Sequence, residues 1–455
     1  MKKIIILSIL AVLTGLLGQA MELSTKQSFI LAVFAFSILG TLFFWNFRLS
    51  FVFIGSGVLF LVHSMDVESF IKFASLDVII FLVGMMIIVG MMKETGVFHR
   101  LAGAFFNMRK LTGRKLFIYL MLLSALFSGL MGEVASIMVM FAIIMEFCKT
   151  LKIKPMPFVI ASVLTTNIGS AATLLGNPVG VLIALRGGLS FEDFLIRALP
   201  VSFIALMITI LVLCLWYRRY LNEISLALAE HNHNQPHMFK KSMNRKEQVS
   251  IAIFITTIFA IAFHKRFEIF FGLEENNLLI IIPIIFAGIV LAYRYNKAHY
   301  YIEREVEWTS LLFFMFLFAQ AGVLQSSGIA QVFADKLLKS SGTNSVLLSG
   351  WILFSSGILS SVLDNTVVVA SYIAIVKSLS SFYFNPKLLW WALLFGACFG
   401  GNITAMGSTA NIVALGMLEK ERAGEVKFSE WLKVGVTVGF LSMGVAFIFL
   451  IIFYK

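Results

Sequence analysis

Thr166-Asn167-Ile168-Gly169-Ser170-Ala171-Ala172-Thr173-Leu174-Leu175-Gly176-Asn177-Pro178 lies inside one apolar stretch of this chain. Gly400-Gly401-Asn402-Ile403-Thr404-Ala405-Met406-Gly407-Ser408-Thr409-Ala410-Asn411 lies inside another, far down the sequence. One constant offset sets Thr173 on Thr404 and Gly176 on Gly407. The same offset sets Glu133 on Asp364, an acid in the middle of each of two further apolar stretches. Gly, Asn, Pro and Thr at this density interrupt a helix and expose its backbone N–H and C=O groups. Hydrocarbon cannot satisfy those groups, so such a break is stable only when buried in protein or lining a polar cavity. The chain reads as one pattern written twice, each copy holding a broken helix and an acid at an interruption.

The composition puts both copies in a membrane. Hydrophobic residues make up 59% and charged residues 13%, against roughly 25% charge in a soluble domain, and the mean hydropathy is +0.93. The net charge of +12 does not point to nucleic acid, because the basic residues sit in short loops between apolar spans, where they set topology. Cys148, Cys214 and Cys398 fall in or beside apolar spans, so no disulfide framework is implied. No phosphate loop or nucleophile constellation occurs, which argues against an enzyme and against an ATP-driven pump. Residues 1–20 read either as a signal peptide or as a first membrane helix: Lys2 and Lys3 precede an apolar run that ends at Gln19-Ala20.

At roughly 20 apolar residues per span, the rest divides into a first repeat over 28–217, a cytoplasmic linker over 218–247 and a second repeat over 248–453. Crossings are expected near 28–46, 49–65 and 77–92, then an interrupted stretch at 116–148, a broken helix near 156–186 and a crossing at 199–217. The order recurs at 248–264, 277–293, 308–326, 346–379, 388–418 and 433–453. Both flanks of 116–148 are basic, with Lys93, Arg100, Arg109, Lys110, Arg114 and Lys115 before it and Lys149, Lys152 and Lys154 after it. Both flanks therefore belong in the cytoplasm, and 116–148 is a re-entrant hairpin. Carrying this along the chain puts Arg48, 218–247, 294–307 and 419–433 inside, together with most of the 36 Lys and Arg. Each repeat then has an odd number of crossings, so the second is inverted and its hairpin opens outward. The expected fold is an all-α polytopic membrane protein of about 11 crossings, built from two inverted repeats, each with a re-entrant hairpin and a broken helix.

An acid at membrane depth is costly and usually faces the bundle interior. Glu133 and Asp364 at hairpin tips are the candidates for holding Na⁺ or carrying a proton. Asn365 and Thr366 add oxygens beside Asp364, whereas Glu133 has only Ser136 nearby. Half-helices beginning after Gly169 and Gly176, and after Gly401 and Gly407, would present N–H groups and a positive dipole end to an anion. Unwound carbonyls at the same breaks suit a cation. The bland reading, glycines that merely let helices pack closely, fits one break less awkwardly than two in register. His231-Asn232-His233-Asn234-Gln235-Pro236-His237 reads as a solvated tract rather than a metal site, and His63 and Cys398 read as packing residues.

These phrases resemble the ion transporter superfamily, in its arsenite permease and P-protein-like branch with a citrate-transporter-like domain. The likeness rests on Val83-Gly84-Met85-Met86-Ile87-Ile88-Val89-Gly90, Thr95-Gly96, Asn167 through Pro178, Leu363-Asp364-Asn365-Thr366 and Gly400 through Asn411. The resemblance implies a homodimer with a scaffold and a moving transport domain. It also implies substrate and sodium binding by Asp364, Asn365, Thr366, Thr173, Gly176, Asn177, Pro178, Thr404, Gly407, Ser408 and Asn411. Asn167 and Asn402 join that set by position. The first tip, Gly132-Glu133-Val134-Ala135, departs from the Asn-containing tip of relatives, and Asn177-Pro178 stands where many have Asp-Pro. The expected function is cation-coupled (Na⁺ or H⁺) secondary transport of a small ion in a bacterial inner membrane. An anion is preferred, either an oxyanion such as arsenite or a carboxylate such as citrate. Na⁺/H⁺ antiport is the alternative. A receptor or assembly subunit has no need of two acid-tipped hairpins. No cofactor is expected beyond Na⁺.

Overall fold

The computed structural model describes residues 2–98, 100, 112–231, 243–341, 344–380, 386–424 and 426–454. Most of the histidine tract, from Asn232 to His237, and much of the basic connector after Val97 lie outside the described residues. The described residues form helices joined by turns and contain no strand. Eight helices are long and apolar enough to cross a membrane, or up to 10 if each of two bent pairs is one span. The sequence reading of about 11 crossings differs for a physical reason. The broken helices are split into short halves, Arg48–Leu61 is also short, and two of the eight, Gly113–Met131 and Glu133–Leu151, are the arms of one hairpin.

Two packing groups form. In the outer group Lys2–Ala20 packs on Thr25–Phe43, which packs on Arg48–Leu61. Leu76–Glu94 packs on Asn277–Tyr293, and Trp308–Ser326 packs on Arg48–Leu61 and Val67–Phe73. Gln320 ties this group internally: its buried amide donates to the Val52 carbonyl at 2.9 Å and to Ser56 Oγ at 2.9 Å. Ion pairs fasten its ends, Arg294 to Glu94 at 2.8 Å and Lys93 to Glu305 at 3.1 Å.

The inner group holds the hairpins and the broken helices. The first hairpin is Gly113–Met131 followed by Glu133–Leu151, and the second is Ser345–Ser360 followed by Asn365–Ser380. In each repeat the first hairpin arm packs on the first half of the broken helix. The contact is made by bare backbone: a Cβ on Gly169 would lie 2.3 Å from the Ala125 carbonyl oxygen, and one on Gly400 would lie 2.2 Å from that of Gly357. Small residues permit such approach where lipid offers no hydrophobic drive between helices. The first hairpin reverses at Gly132, whose φ of +91° an L side chain rarely adopts. Phe191–Trp216 and Phe428–Tyr454 pack on each other and close this group from one side. The expected linker departs from a plain loop: Arg218–His231 is an amphipathic helix that buries Leu221, Ile224 and Leu228, and Ser225 Oγ accepts the Gly113 N–H at 2.9 Å.

Candidate functional site

Each broken helix stops, turns and restarts in the same way. Met156–Ser170 stops and Pro178–Gly187 restarts; Lys387–Gly400 stops and Thr409–Lys420 restarts. The expectation that half-helices begin after Gly169 and Gly401 is therefore corrected, since helices end at those places. The intervening turns are made by threonines. Thr173 Oγ1 donates to the Gly129 carbonyl and accepts the Leu175 N–H at 3.2 Å. Thr404 Oγ1 donates to the Ser361 carbonyl and accepts the Met406 N–H at 3.1 Å. Each threonine so ties a break to its own hairpin. The Gly176 N–H reaches the Thr173 carbonyl and the Gly407 N–H that of Thr404, both at 3.3 Å. Asn177 Oδ1 caps the restart by accepting the Gly180 N–H at 2.8 Å, and Ser408 Oγ does the same for Ala410 at 3.1 Å.

Asparagines join the two breaks. Asn167 Nδ2 donates to Asn402 Oδ1 and to Asn411 Oδ1, both at 2.9 Å, while Asn167 Oδ1 accepts from Ser408 Oγ at 3.1 Å. Asn402 Nδ2 donates to the Leu164 carbonyl at 3.1 Å, and Asn411 Nδ2 donates to the carbonyls of Gly401 and Thr404, both at 2.9 Å. All three amides are buried. The second broken helix is held from behind by Trp431, whose indole N–H donates to the Asn402 carbonyl at 3.2 Å.

The two acids, equivalent in sequence, are held differently. Asp364 is 4% exposed and Glu133 5% exposed. Asp364 accepts three donors: the Thr366 N–H at 3.0 Å, the Thr409 N–H at 3.1 Å and Thr409 Oγ1 at 2.5 Å. It therefore caps both the second hairpin arm and the restarted half-helix. Thr409 is the counterpart of Pro178, which has no N–H and no hydroxyl. Glu133 therefore lacks the paired N–H and hydroxyl that Thr409 gives Asp364, and it lies between side chains of both repeats. Its carboxylate meets Asn365 Nδ2 at 3.4 Å and Ser408 Oγ at 3.5 Å, both long contacts. Asn177 and Ser170 also adjoin it, and the charge of Asp364 bears on it.

Glu133 opens on a cavity of roughly 1050 Å³, mouth included, between the inner group and the outer one. Gly132, Glu133, Asn177, Pro178, Thr366 and Thr409 form its inner wall. Met85, Met86, Lys93, Arg304, Glu305, Glu307, Ser310 and Phe314 form its outer wall. The structure brings together Glu133, Asn365, Thr366, Asp364, Asn167, Asn177, Pro178, Asn402, Ser408 and Asn411. Thr173, Thr404, Gly176 and Gly407 shape the turns around them. Ser136 stands apart, its hydroxyl bonded to the Ser124 carbonyl at 3.1 Å between the hairpin arms. Sequence reasoning missed Thr409, although its register with Pro178 was legible. It also missed Cys398, which accepts from Asn177 Nδ2 at 3.2 Å, and the charged outer wall.

Two hairpins whose tips meet two broken helices across a buried polar centre, all against a helical scaffold, define a secondary transporter, not an enzyme. The chain belongs to the citrate transporter family, which matches residues 4–396 and 302–455. Its similarity to an uncharacterized transporter of Mycobacterium tuberculosis is 31% identity over 380 residues, covering 82% of this chain and 85% of that protein. Human P protein is 24% identical over 84% of this chain and 54% of its own length, so this chain spans about half of P protein. Among solved structures, the Alcanivorax borkumensis YdaH transporter, described as having an unusual topology, shares the fold with a TM-score of 0.55 at 16% identity. The overlap covers 87% of this chain and 88% of that one. The superfamily resemblance read from the motifs agrees with all of these.

Proposed function

We propose that this transporter moves a small anion, of the carboxylate class, coupled to Na⁺ or H⁺ at Glu133. The observation that carries this reading is the unequal holding of the two acids. Two carboxylates within reach of each other in a dry site repel, and the pair is stable only with a proton or a metal cation on it. Asp364 is already engaged by three donors, so the loosely held Glu133 is the group free to take the cation. Glu133 and Ser408 Oγ, with Asn167 Oδ1 beside that hydroxyl, are oxygen ligands of the kind hard cations use, whereas Asn365 presents its amide nitrogen to the carboxylate. Asp364 completes the sodium neighbourhood by charge rather than by a free ligand position. The carboxylate class is favoured by the family's description as citrate transporters and by Arg304 on the cavity wall, where Lys93 is already paired with Glu305 at 3.1 Å.

The cavity is lined by Lys93, Arg304, Glu305 and Glu307, residues that loop charge assigns to the cytoplasm. This conformation is then the inward-open one, in a homodimer of the bacterial inner membrane. The test is uptake into proteoliposomes of citrate, succinate, phosphate and sulfate, with and without Na⁺ and pH gradients. Uptake of an anion driven by either gradient supports the reading. Na⁺/H⁺ antiport is the second reading. It is favoured by the Thr409 N–H being bonded to Asp364, which leaves fewer backbone donors for an anion. Saturable Na⁺-dependent proton flux without any anion present would replace anion transport with antiport.

A further inference from the structure

Among the described residues, two ion pairs bridge the inner and outer groups, and both lie at the same end of the molecule. Arg186 is in the last turn of Pro178–Gly187 in the inner group, and Asp77 is in the first turn of Leu76–Glu94 in the outer group. The two helices pack on each other there. The guanidinium holds the carboxylate with both arms, Nη1 to Oδ2 at 2.8 Å and Nη2 to Oδ1 at 2.9 Å. The side chains are only 23% and 26% exposed. Each charge also sits at the helix end whose dipole favours it. The second pair is Arg266 with Glu192 at 3.1 Å. It joins His264–Phe271, which packs on Asn277–Tyr293 of the outer group, to the start of Phe191–Trp216. Its side chains are 68% and 42% exposed, so it contributes little.

Asp77, Arg186, Glu192 and Arg266 all fall on the external side in the topology read from loop charge. The cavity wall, by contrast, carries Lys93, Arg304 and Glu305 of the cytoplasmic side. In an inverted-repeat transporter the two end states exchange the packing of the two repeats. A contact made by the first repeat in one state is then replaced in the other state by its counterpart in the second repeat. The offset that pairs Gly176 with Gly407 sets Arg186 on Met417. Gly96 and Gly328, with φ of +83° and +79°, follow the equivalent helices Leu76–Glu94 and Trp308–Ser326 and set Asp77 on Thr309. A methionine and a threonine cannot make an ion pair. We infer that Asp77 and Arg186 form an external latch. It holds the inner group in the inward-open position and parts in every transport cycle, and the outward-open state has no equivalent at these positions. The protein without cargo therefore rests inward-open. This rests on the inward-open reading above and not on the identity of the cargo.

The experiment reads from which side the first hairpin tip can be reached. Ala135, on the cavity wall, is replaced (Ala135→Cys) in a protein without Cys148, Cys214 and Cys398. An impermeant thiol reagent is applied to right-side-out and to inverted vesicles. Ala135 moves with the inner group, so the external rate follows the fraction of protein that has left the inward-open state. Asp77→Asn, Arg186→Gln and the double variant are compared with the parent in this background. Loss of a mostly buried, two-pronged ion pair should speed external labelling by about 3- to 10-fold in each single variant. The double variant should label no faster than the faster single one, because both substitutions remove the same contact. Labelling from inside that stays fast shows that each variant is folded. An external rate unchanged in both single variants, or single effects that multiply in the double, overturns the latch. A parent that labels faster from outside than from inside overturns the inward-open reading instead, and the latch then shows as faster internal labelling in the same variants.

Discussion

Asp364→Asn and Glu133→Gln make the sharpest comparison, because the same chemical change should act in opposite ways at two equivalent positions. An amide has one acceptor oxygen. At Asp364 that oxygen can stay on Thr409, keeping the N–H at 3.1 Å and Oγ1 at 2.5 Å as neutral bonds. The amide nitrogen then faces the Thr366 N–H that the carboxylate accepted at 3.0 Å, donor against donor. One charge-assisted bond is lost outright, at about 1.5–3 kcal/mol, and two others are weakened, so the substitution should cost about 2–4 kcal/mol. At Glu133 the contacts are 3.4 and 3.5 Å, too long to contribute much; either substitution relieves the repulsion that the two acids share, so the comparison turns on the bonds lost. Glu133→Gln should therefore melt at or above the wild-type temperature. Thermal unfolding of the purified protein in one detergent measures the first effect, and gradient-driven uptake measures the second. Asp364→Asn should melt several degrees lower. Glu133→Gln should lose the dependence on the Na⁺ or pH gradient while staying folded. Equal melting temperatures for Asp364→Asn and wild type, or an intact gradient dependence in Glu133→Gln, would refute the division of roles.

Three further outcomes are expected. Gly176→Ala puts a Cβ 2.1 Å from the Ser170 carbonyl oxygen, and Gly407→Ala puts one 2.6 Å from that of Gly401 and 2.7 Å from that of Ser360. The neighbours are backbone and cannot rotate away, so both should lose about 1–3 kcal/mol or more by thermal unfolding, with Gly176→Ala the worse. Asn167→Ala removes the donor shared by Asn402 and Asn411 and the acceptor of Ser408; at about 1–3 kcal/mol for each buried group left alone, expression should fall steeply, while Ser136→Ala should be mild in comparison. Single cysteines at Thr112 and Lys152, both exposed, in a protein without Cys148, Cys214 and Cys398, should react with an impermeant thiol reagent only from the cytoplasmic side. Labelling of one from outside would turn the first hairpin into a crossing.

The membrane class, the two repeats, the broken helices and the acids at the hairpin tips were legible because each rests on local chemistry. Apolar length, loop charge and the incompatibility of Gly, Asn and Pro with a lipid-exposed helix are read residue by residue. Even the difference between the acids was written in the sequence, since the offset that pairs Glu133 with Asp364 also pairs Pro178 with Thr409. The direction in which each carboxylate turns was not. It depends on which donors the folded chain brings within reach: Glu133 meets Asn365 and Ser408 of the other repeat as well as Asn177 and Ser170 of its own. For the same reason Ser136 was grouped with the site by proximity in sequence and lies between the hairpin arms instead. Arg48, distant from every motif, donates to Ser310 on the cavity wall. Sequence by itself determined which segments break and which side chains carry charge at depth. Only the tertiary structure decided which of those charges are satisfied, because the donors come from other segments, Thr409 for Asp364 across 45 positions and Asn365 for Glu133 across 232.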